Sequence, residues 1–95
     1  MVEALSRLYK ELKVWRHVNN ATAIRFSCLA DLVSQKFAVQ SADFFRLPVT
    51  REQIENFEKQ YLELFIKISP DERCEWFESL AETIASHDRE FLNDV

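Results

Sequence analysis

The chain has 95 residues, a formal net charge of −4 and a hydrophobic fraction of 47%. This length accommodates one domain, residues 1–95, and the apolar content excludes a disordered chain. Glycine is absent, which argues against phosphate-cradling loops, dinucleotide fingerprints and the tight turns of β-hairpins. We therefore predict an all-α fold, a bundle of four helices plus one short helical turn.

The first two predicted helices span about residues 2–18 and 22–37, joined by a turn at Asn19-Asn20. In the first, apolar residues recur at steps of three and four, which favours an amphipathic helix. We expect this seam to face a core or a partner, and it consists of Leu5, Leu8, Leu12 and Trp15. The second helix has apolar residues on more than one side and is predicted to be the most buried.

A short helical turn is predicted at about residues 41–46, ended by Pro48. Phe44 and Phe45 are adjacent, so their side chains cannot point the same way. One of the two is expected to fill the core, and the other to be an interface anchor or a lid over the bundle end.

The most complete local signals lie between Val49 and Glu72. Thr50 and Gln53 have the spacing of an N-cap and its N3 partner, which predicts a third helix over about residues 51–68. Ser69 and Pro70 have the pattern of a second start, so a fourth helix is predicted to begin at Pro70. Together these two helices are expected to form a C-terminal antiparallel hairpin.

Charge is divided unevenly along the chain. Residues 1–50 contain seven Lys/Arg and four Asp/Glu, whereas residues 51–95 contain five and twelve. We expect an acidic face on the fourth helix, represented by Glu75, Glu78 and Glu82, which would attract basic partners. A solvated helix face by itself explains much of this charge. The tail beyond it ends in Phe91, Leu92 and Val95, a candidate docking segment.

No catalytic, cofactor or metal site is predicted. Cys28, Cys74, His17 and His87 do not have the spacing of metal ligands or of a nucleophile and its base. The sequence begins with no basic-then-apolar signal and has no apolar run of membrane-spanning length. We therefore expect a soluble, cytoplasmic protein with reduced thiols and no membrane association.

Between residues 33 and 47 a regular pattern of apolar positions surrounds a small residue, Ser34, and the apolar residues are Val33, Phe37, Val39, Phe44 and Leu47. With this pattern, residues 33–47 resemble the helix-turn-helix family over about fifteen residues. Apolar residues fall where that motif needs them, and Ser41 has the position of a cap for the second helix. The resemblance implies DNA binding. Against it, Pro48 ends the recognition helix after about one turn, and Arg46 is its only cationic residue.

Three functions follow from these observations. The first is a non-enzymatic regulatory protein that binds another protein, as an inhibitor, antirepressor or adaptor, most simply as a homodimer and of the kind common in phages and mobile elements. The second is a transcription regulator that binds DNA through residues 33–47. The third is a structural subunit of a helical assembly. The predicted interface residues for the first are Leu5, Leu8, Leu12, Trp15, Phe44, Phe45, Phe91, Leu92 and Val95.

Overall fold

The computed structural model describes residues 6–91. Within this region, three strands come first: β1 (Tyr9–Asn19), β2 (Thr22–Asp31) and β3 (Phe37–Arg46). Three helices follow: α1 (Arg51–Lys67), α2 (Pro70–Arg73) and α3 (Leu80–Phe91). The strands form one antiparallel sheet in the order β1-β2-β3. No helix of the described region is long and apolar enough to cross a membrane.

The all-α prediction is wrong for the first half of the chain. Residues predicted as two helices form β1 and β2, and the predicted helical turn at 41–46 lies within β3. The helix-turn-helix resemblance fails for the same reason, because residues 37–46 are a strand and contain no recognition helix. A period of two explains the strands: apolar Ile24, Phe26 and Cys28 alternate with Arg25 and Ser27.

The hairpins close without glycine because side-chain oxygens accept hydrogen bonds from backbone amides within the turns. The Asn19 Oδ1 accepts a hydrogen bond from the Ala21 amide at 2.8 Å. The Asp31 Oδ1 accepts from the amide of Val33 at 2.8 Å, and Gln35 adopts a left-handed φ of 61°. Such Asx turns reverse the chain by satisfying backbone donors locally. The absence of glycine therefore did not exclude a sheet.

The two faces of the sheet differ in chemistry. One face, here called the apolar face, has Ile24, Phe26 and Cys28 at its centre, each no more than 4% exposed. Leu80 and Ile84 of α3 pack against this centre. Burial of this kind, at about 25 cal/mol per Å² of apolar surface, is the main stabilising term of a small domain.

The other face, here called the mixed face, is covered by α1. It combines aromatic side chains with the charged residues Lys13 and Arg25. Phe57 of α1 packs edge-on against Phe45, with ring centroids 5.1 Å apart. The centre of the Tyr61 ring lies 4.7 Å from the Lys13 Nζ. The backbone carbonyl of Tyr61 accepts a hydrogen bond from the side-chain amide of Gln40.

The predicted C-terminal helical hairpin is therefore wrong, although its first helix is confirmed. α1 begins where predicted, and the Thr50 Oγ1 accepts from the Gln53 amide at 3.1 Å. The helix that starts at Pro70 ends at Arg73, and an extended segment separates it from α3. Since α1 and α3 cover opposite faces of the sheet, they do not pack as a pair.

α3 has its own start signal. The Ser79 Oγ accepts from the Glu82 amide at 3.1 Å and donates to the Glu82 carboxylate at 3.2 Å. Ser79 is therefore the N-cap of α3. Ser79 and Glu82 have the residue types and spacing of a capping box, but the Glu82 carboxylate contacts the Ser79 hydroxyl and not the Ser79 backbone N–H. An ion pair then ties the middle of α3 to β1, because Arg16 contacts both carboxylate oxygens of Asp88 at 2.8–2.9 Å.

Candidate functional site

A groove of about 760 Å³ runs beside α3 along the outer side of β3. Its apolar lining includes Phe44, Phe77 and Phe91, together with parts of Ile24 and Phe26. Clefts that combine an apolar lining with a few polar groups are the usual form of a binding site. For this reason the groove is the candidate functional site of the chain.

Phe44 and Phe91 are the most accessible aromatic residues of the groove. Phe44 is 44% exposed on β3, and Phe91 is 58% exposed at the end of α3. Strand alternation explains why Phe44 is exposed while its neighbour Phe45 is only 7% exposed. Phe45 points to the mixed face, where Phe57 covers it, whereas Phe44 lies opposite Ile24 near the edge of the apolar face.

His87 lies in the wall of the groove between two aromatic rings. Its ring is edge-on to Phe26 at 5.6 Å and lies 4.5 Å from the Phe91 ring. Burial lowers the pKa of His87 and outweighs the opposing effect of the nearby Asp88 and Glu90 carboxylates. The imidazole is therefore neutral at pH 7, and its buried Nδ1 has no hydrogen-bond partner among the described residues.

Charge at the rim of the groove is predominantly acidic. Glu75 and Glu90 line it, are exposed, and lie within 4 Å of no cationic side chain in residues 6–91. Arg73, the cation of the lining, donates to the backbone carbonyl of Gln40 at 3.0 Å. The free carboxylates favour a ligand that carries positive charge.

Cys74 also lines the groove, and burial of its thiol outweighs the effect of the neighbouring Arg73 charge, which favours the thiolate. Burial raises the pKa of its thiol, which keeps it protonated and a poor nucleophile. The other cysteine, Cys28, is fully buried in the core, where burial raises its pKa to about 11. Across the described region, no group of three or more His, Cys, Asp or Glu residues is arranged to hold a metal ion.

A second, shallower depression of about 470 Å³ lies at the end of the sheet that contains the β1–β2 turn. Trp15 is 57% exposed here, and Leu47, Val49 and Ile54 are also exposed. Arg25 forms part of the lining, but ion pairs of 3.1 Å with Asp43 and Glu58 neutralise its charge. The depression is consequently almost entirely apolar at its surface.

The residues predicted as one interface are spread over separate parts of the molecule. Phe44 and Phe91 both line the groove, Trp15 lies in the second depression, and Leu8 is exposed beside the start of β1. Leu12 packs against the core and Phe45 is buried. Leu5, Leu92 and Val95 lie outside the described residues.

The predicted acidic face is also divided. Glu75 lies in the extended segment before α3 and lines the groove, and Glu78 is 3.7 Å from Lys36. Glu82 lies on α3 and contacts its N-cap, Ser79. Only Glu82 is therefore on a helix, because the expected continuous fourth helix is interrupted after Arg73.

His87 and the groove itself were not predicted from the sequence. The groove exists because β3 lies beside α3, two elements more than thirty residues apart in the chain. No local spacing encodes that proximity. No family model, no curated protein and no solved structure matches the chain.

Proposed function

We propose that this chain is a small non-enzymatic regulatory protein that binds a segment of a partner protein in the groove between β3 and α3. The observation that carries the proposal is the pair of exposed aromatic side chains, Phe44 of β3 and Phe91 of α3, that line the same groove. Aromatic residues in such positions are typical anchors of protein–protein binding.

The acidic charge at the rim of the groove indicates which kind of partner segment it favours. Glu75 and Glu90 favour a segment in which Lys or Arg residues flank apolar ones. Buried apolar side chains would supply most of the affinity, and the rim charges would contribute to association rate and specificity. An acidic rim also disfavours the phosphate backbone of a nucleic acid.

The elevated thiol pKa of Cys74 and the unsupported imidazole of His87 support a non-enzymatic role. A catalytic cysteine or histidine requires a neighbouring group that activates or orients it. Here burial keeps the thiol protonated and keeps the imidazole neutral.

A homodimer is the second part of the proposal, and the depression around Trp15 and Leu47 supports it. Its surface is apolar and nearly free of unpaired charge, as the centres of homodimer interfaces usually are. A second copy related by a two-fold axis would place the same apolar patch on both sides of the contact.

A displayed library of random dodecapeptides, selected on the full chain, tests groove binding. We expect enrichment of peptides with apolar residues next to Lys or Arg. A selected peptide should bind the Phe91→Ala variant about tenfold more weakly, because an interface anchor is lost. Ile66→Ala is the matched control, since Ile66 is 79% exposed on α1, which covers the opposite face of the sheet.

Two results would contradict the proposal. One is a selection that enriches no peptide. The other is a set of enriched peptides whose affinities for the wild type and Phe91→Ala are equal.

A further inference from the structure

The outer edge of β3 is covered over only half of its length. At its first residue, the Phe37 amide and carbonyl pair with those of Phe77 at 2.8 Å in an antiparallel bridge. The Val39 amide donates to the Thr83 Oγ1 at 3.1 Å, and the Gln40 carbonyl accepts from Arg73. Within residues 6–91, no further hydrogen bond reaches this edge between Ala42 and Arg46.

The backbone groups that face outward in this second half can be identified. The Leu47 amide donates to the Ala21 carbonyl on the β2 side at 2.9 Å. Because successive residues of a strand alternate in direction, the amides of Arg46 and Phe44 face away from β2. In the first half of β3 the outward-facing residues are odd-numbered, Phe37 and Val39. The change of register between Ser27 and Cys28 shifts the alternation by one residue, so that even-numbered residues face outward in the second half.

This unpaired half lies next to the groove. Ala42 and Phe44 belong to both the edge and the groove lining. A native sheet normally covers, twists or charges an exposed edge, because unpaired amides and carbonyls invite another strand. In β3, contacts of this kind cover the outer edge only from Phe37 to Gln40.

From this arrangement we infer that the partner's segment binds as an extended strand that adds to β3 between Ala42 and Arg46. The inference rests on the proposed function, and it specifies how the partner binds. The added strand runs antiparallel to β3, in line with the segment that ends at the Phe77 bridge. Backbone hydrogen bonds to Phe44 and Arg46 hold it, as in known modes of strand addition.

Strand addition also sets the pattern of partner side chains. Alternate residues of an added strand face the groove, where they contact Phe44 and Phe91, and the others face away. Lys or Arg residues at the ends of this strand lie near Glu75 and Glu90. The preferred segment therefore alternates apolar and polar residues and is basic.

The test uses a synthetic decapeptide of alternating Val and Lys, added to the isotope-labelled full chain. Amide hydrogen exchange is measured by NMR with and without the peptide. Exchange of the Phe44 and Arg46 amides should slow by about tenfold or more when the peptide is bound, because both gain hydrogen-bond partners. The amides of Asp43 and Phe45 already face β2 and serve as internal references.

A pair of variants provides the second measurement. Arg46→Pro removes the outward N–H at a strand edge, where proline is tolerated, and should weaken binding about tenfold. Arg46→Ala keeps that N–H and should bind almost as the wild type does.

The strand inference is overturned if the peptide binds while exchange at Phe44 and Arg46 is unchanged, or if the two Arg46 variants bind equally. It is also overturned if the Val-Lys peptide does not bind at all. The display selection judges the proposed function independently: selected peptides that need Phe91 but leave the Phe44 amide unprotected would keep the function and exclude strand addition.

Discussion

At the scale of single residues, His87 is a partly buried histidine in the wall of the groove. Its imidazole is enclosed by Phe26 and Phe91, and its Nδ1 has no partner among residues 6–91. The groups that act on its charge are Asp88 and Glu90, which favour protonation, and Arg16, which opposes it. Burial is the largest effect, so folding favours the neutral ring.

This environment predicts a pH dependence of stability. The pKa of His87 is lower in the folded chain than its ordinary value of 6.5, so the unfolded chain binds more protons just below that value. The stability that the neutral ring provides is complete above about pH 6.5 and is lost as the pH falls through the lowered folded pKa. The His87→Phe substitution should remove the contribution of His87 to the pH dependence of stability.

Urea unfolding at about pH 7.5 and about pH 5 measures the effect. The wild type should lose more stability between the two values than His87→Phe does. Asp88, whose pKa is lowered mainly by its hydrogen bonds from Arg16, is present in both proteins and titrates mostly below this range. Equal losses in the two proteins would show that His87 is not the group responsible.

At the scale of elements, helix caps were predictable from the sequence because they depend on residues three positions apart. Thr50 and Gln53 correctly predict the start of α1. Ser79 and Glu82 have the same spacing, but this start was missed because Pro70 suggested a continuous fourth helix. The start of a helix is encoded locally, whereas its end at Arg73 depends on tertiary contacts such as the Phe77 bridge.

The strands could not be assigned by the same reasoning. Leu5, Leu8, Leu12 and Trp15 have a helical spacing, although Leu12 and Val14 also alternate as a strand requires. The segment is thus compatible with both a helical and a strand period, and its pairing with β2 selects the strand. The groove was less accessible still, since it depends on the packing of α3 beside β3. Of the groove lining, the sequence identified Phe44 and Phe91 as interface residues and Glu75 as part of an acidic face.

The caps give a matched pair of substitutions. Thr50→Ala removes a side-chain acceptor from the Gln53 amide and should destabilise the fold by about 1 kcal/mol. Ser69→Ala should cost less, because the Ser69 hydroxyl caps no backbone amide of α2 and instead bonds to the Asp71 carboxylate. Urea unfolding midpoints compare the two. The assignment of Thr50 as the cap fails if the two variants have the same midpoint.

At the scale of the whole molecule, the sheet is covered on both faces and yet leaves apolar side chains exposed at one end. The depression around Trp15 and Leu47 is separate from the groove, since Phe44 and Phe91 contribute to one and not to the other. Two separate surfaces allow a dimer that still binds a partner segment on each copy.

Sedimentation of the full chain tests this arrangement. The wild type is expected to be a dimer at tens of micromolar, and Leu47→Glu should be a monomer because it places a charge in an apolar interface. Arg46→Ala, a neighbouring exposed position outside the depression, should leave the dimer intact. A wild type that sediments as a monomer would exclude the dimer while leaving groove binding unaffected.

α1 and α3 lie on opposite faces of the sheet, so the length of the connection between them affects how much of the edge of β3 is covered. The connection from Ile68 to Ser79 must travel around the outside of β3, and it is this passage that places Arg73 and Phe77 against the strand. Each added residue in extended form lengthens the passage by about 3.3 Å. Insertions of two or three residues before Arg73 would lengthen the part of the connection that reaches toward Ala42 and so, on the proposal above, would cover the edge to which the partner's strand adds, whereas deletions would open more of it. If the proposed strand addition is correct, the length of this surface connection, rather than any core residue, sets how long a partner segment can add to β3.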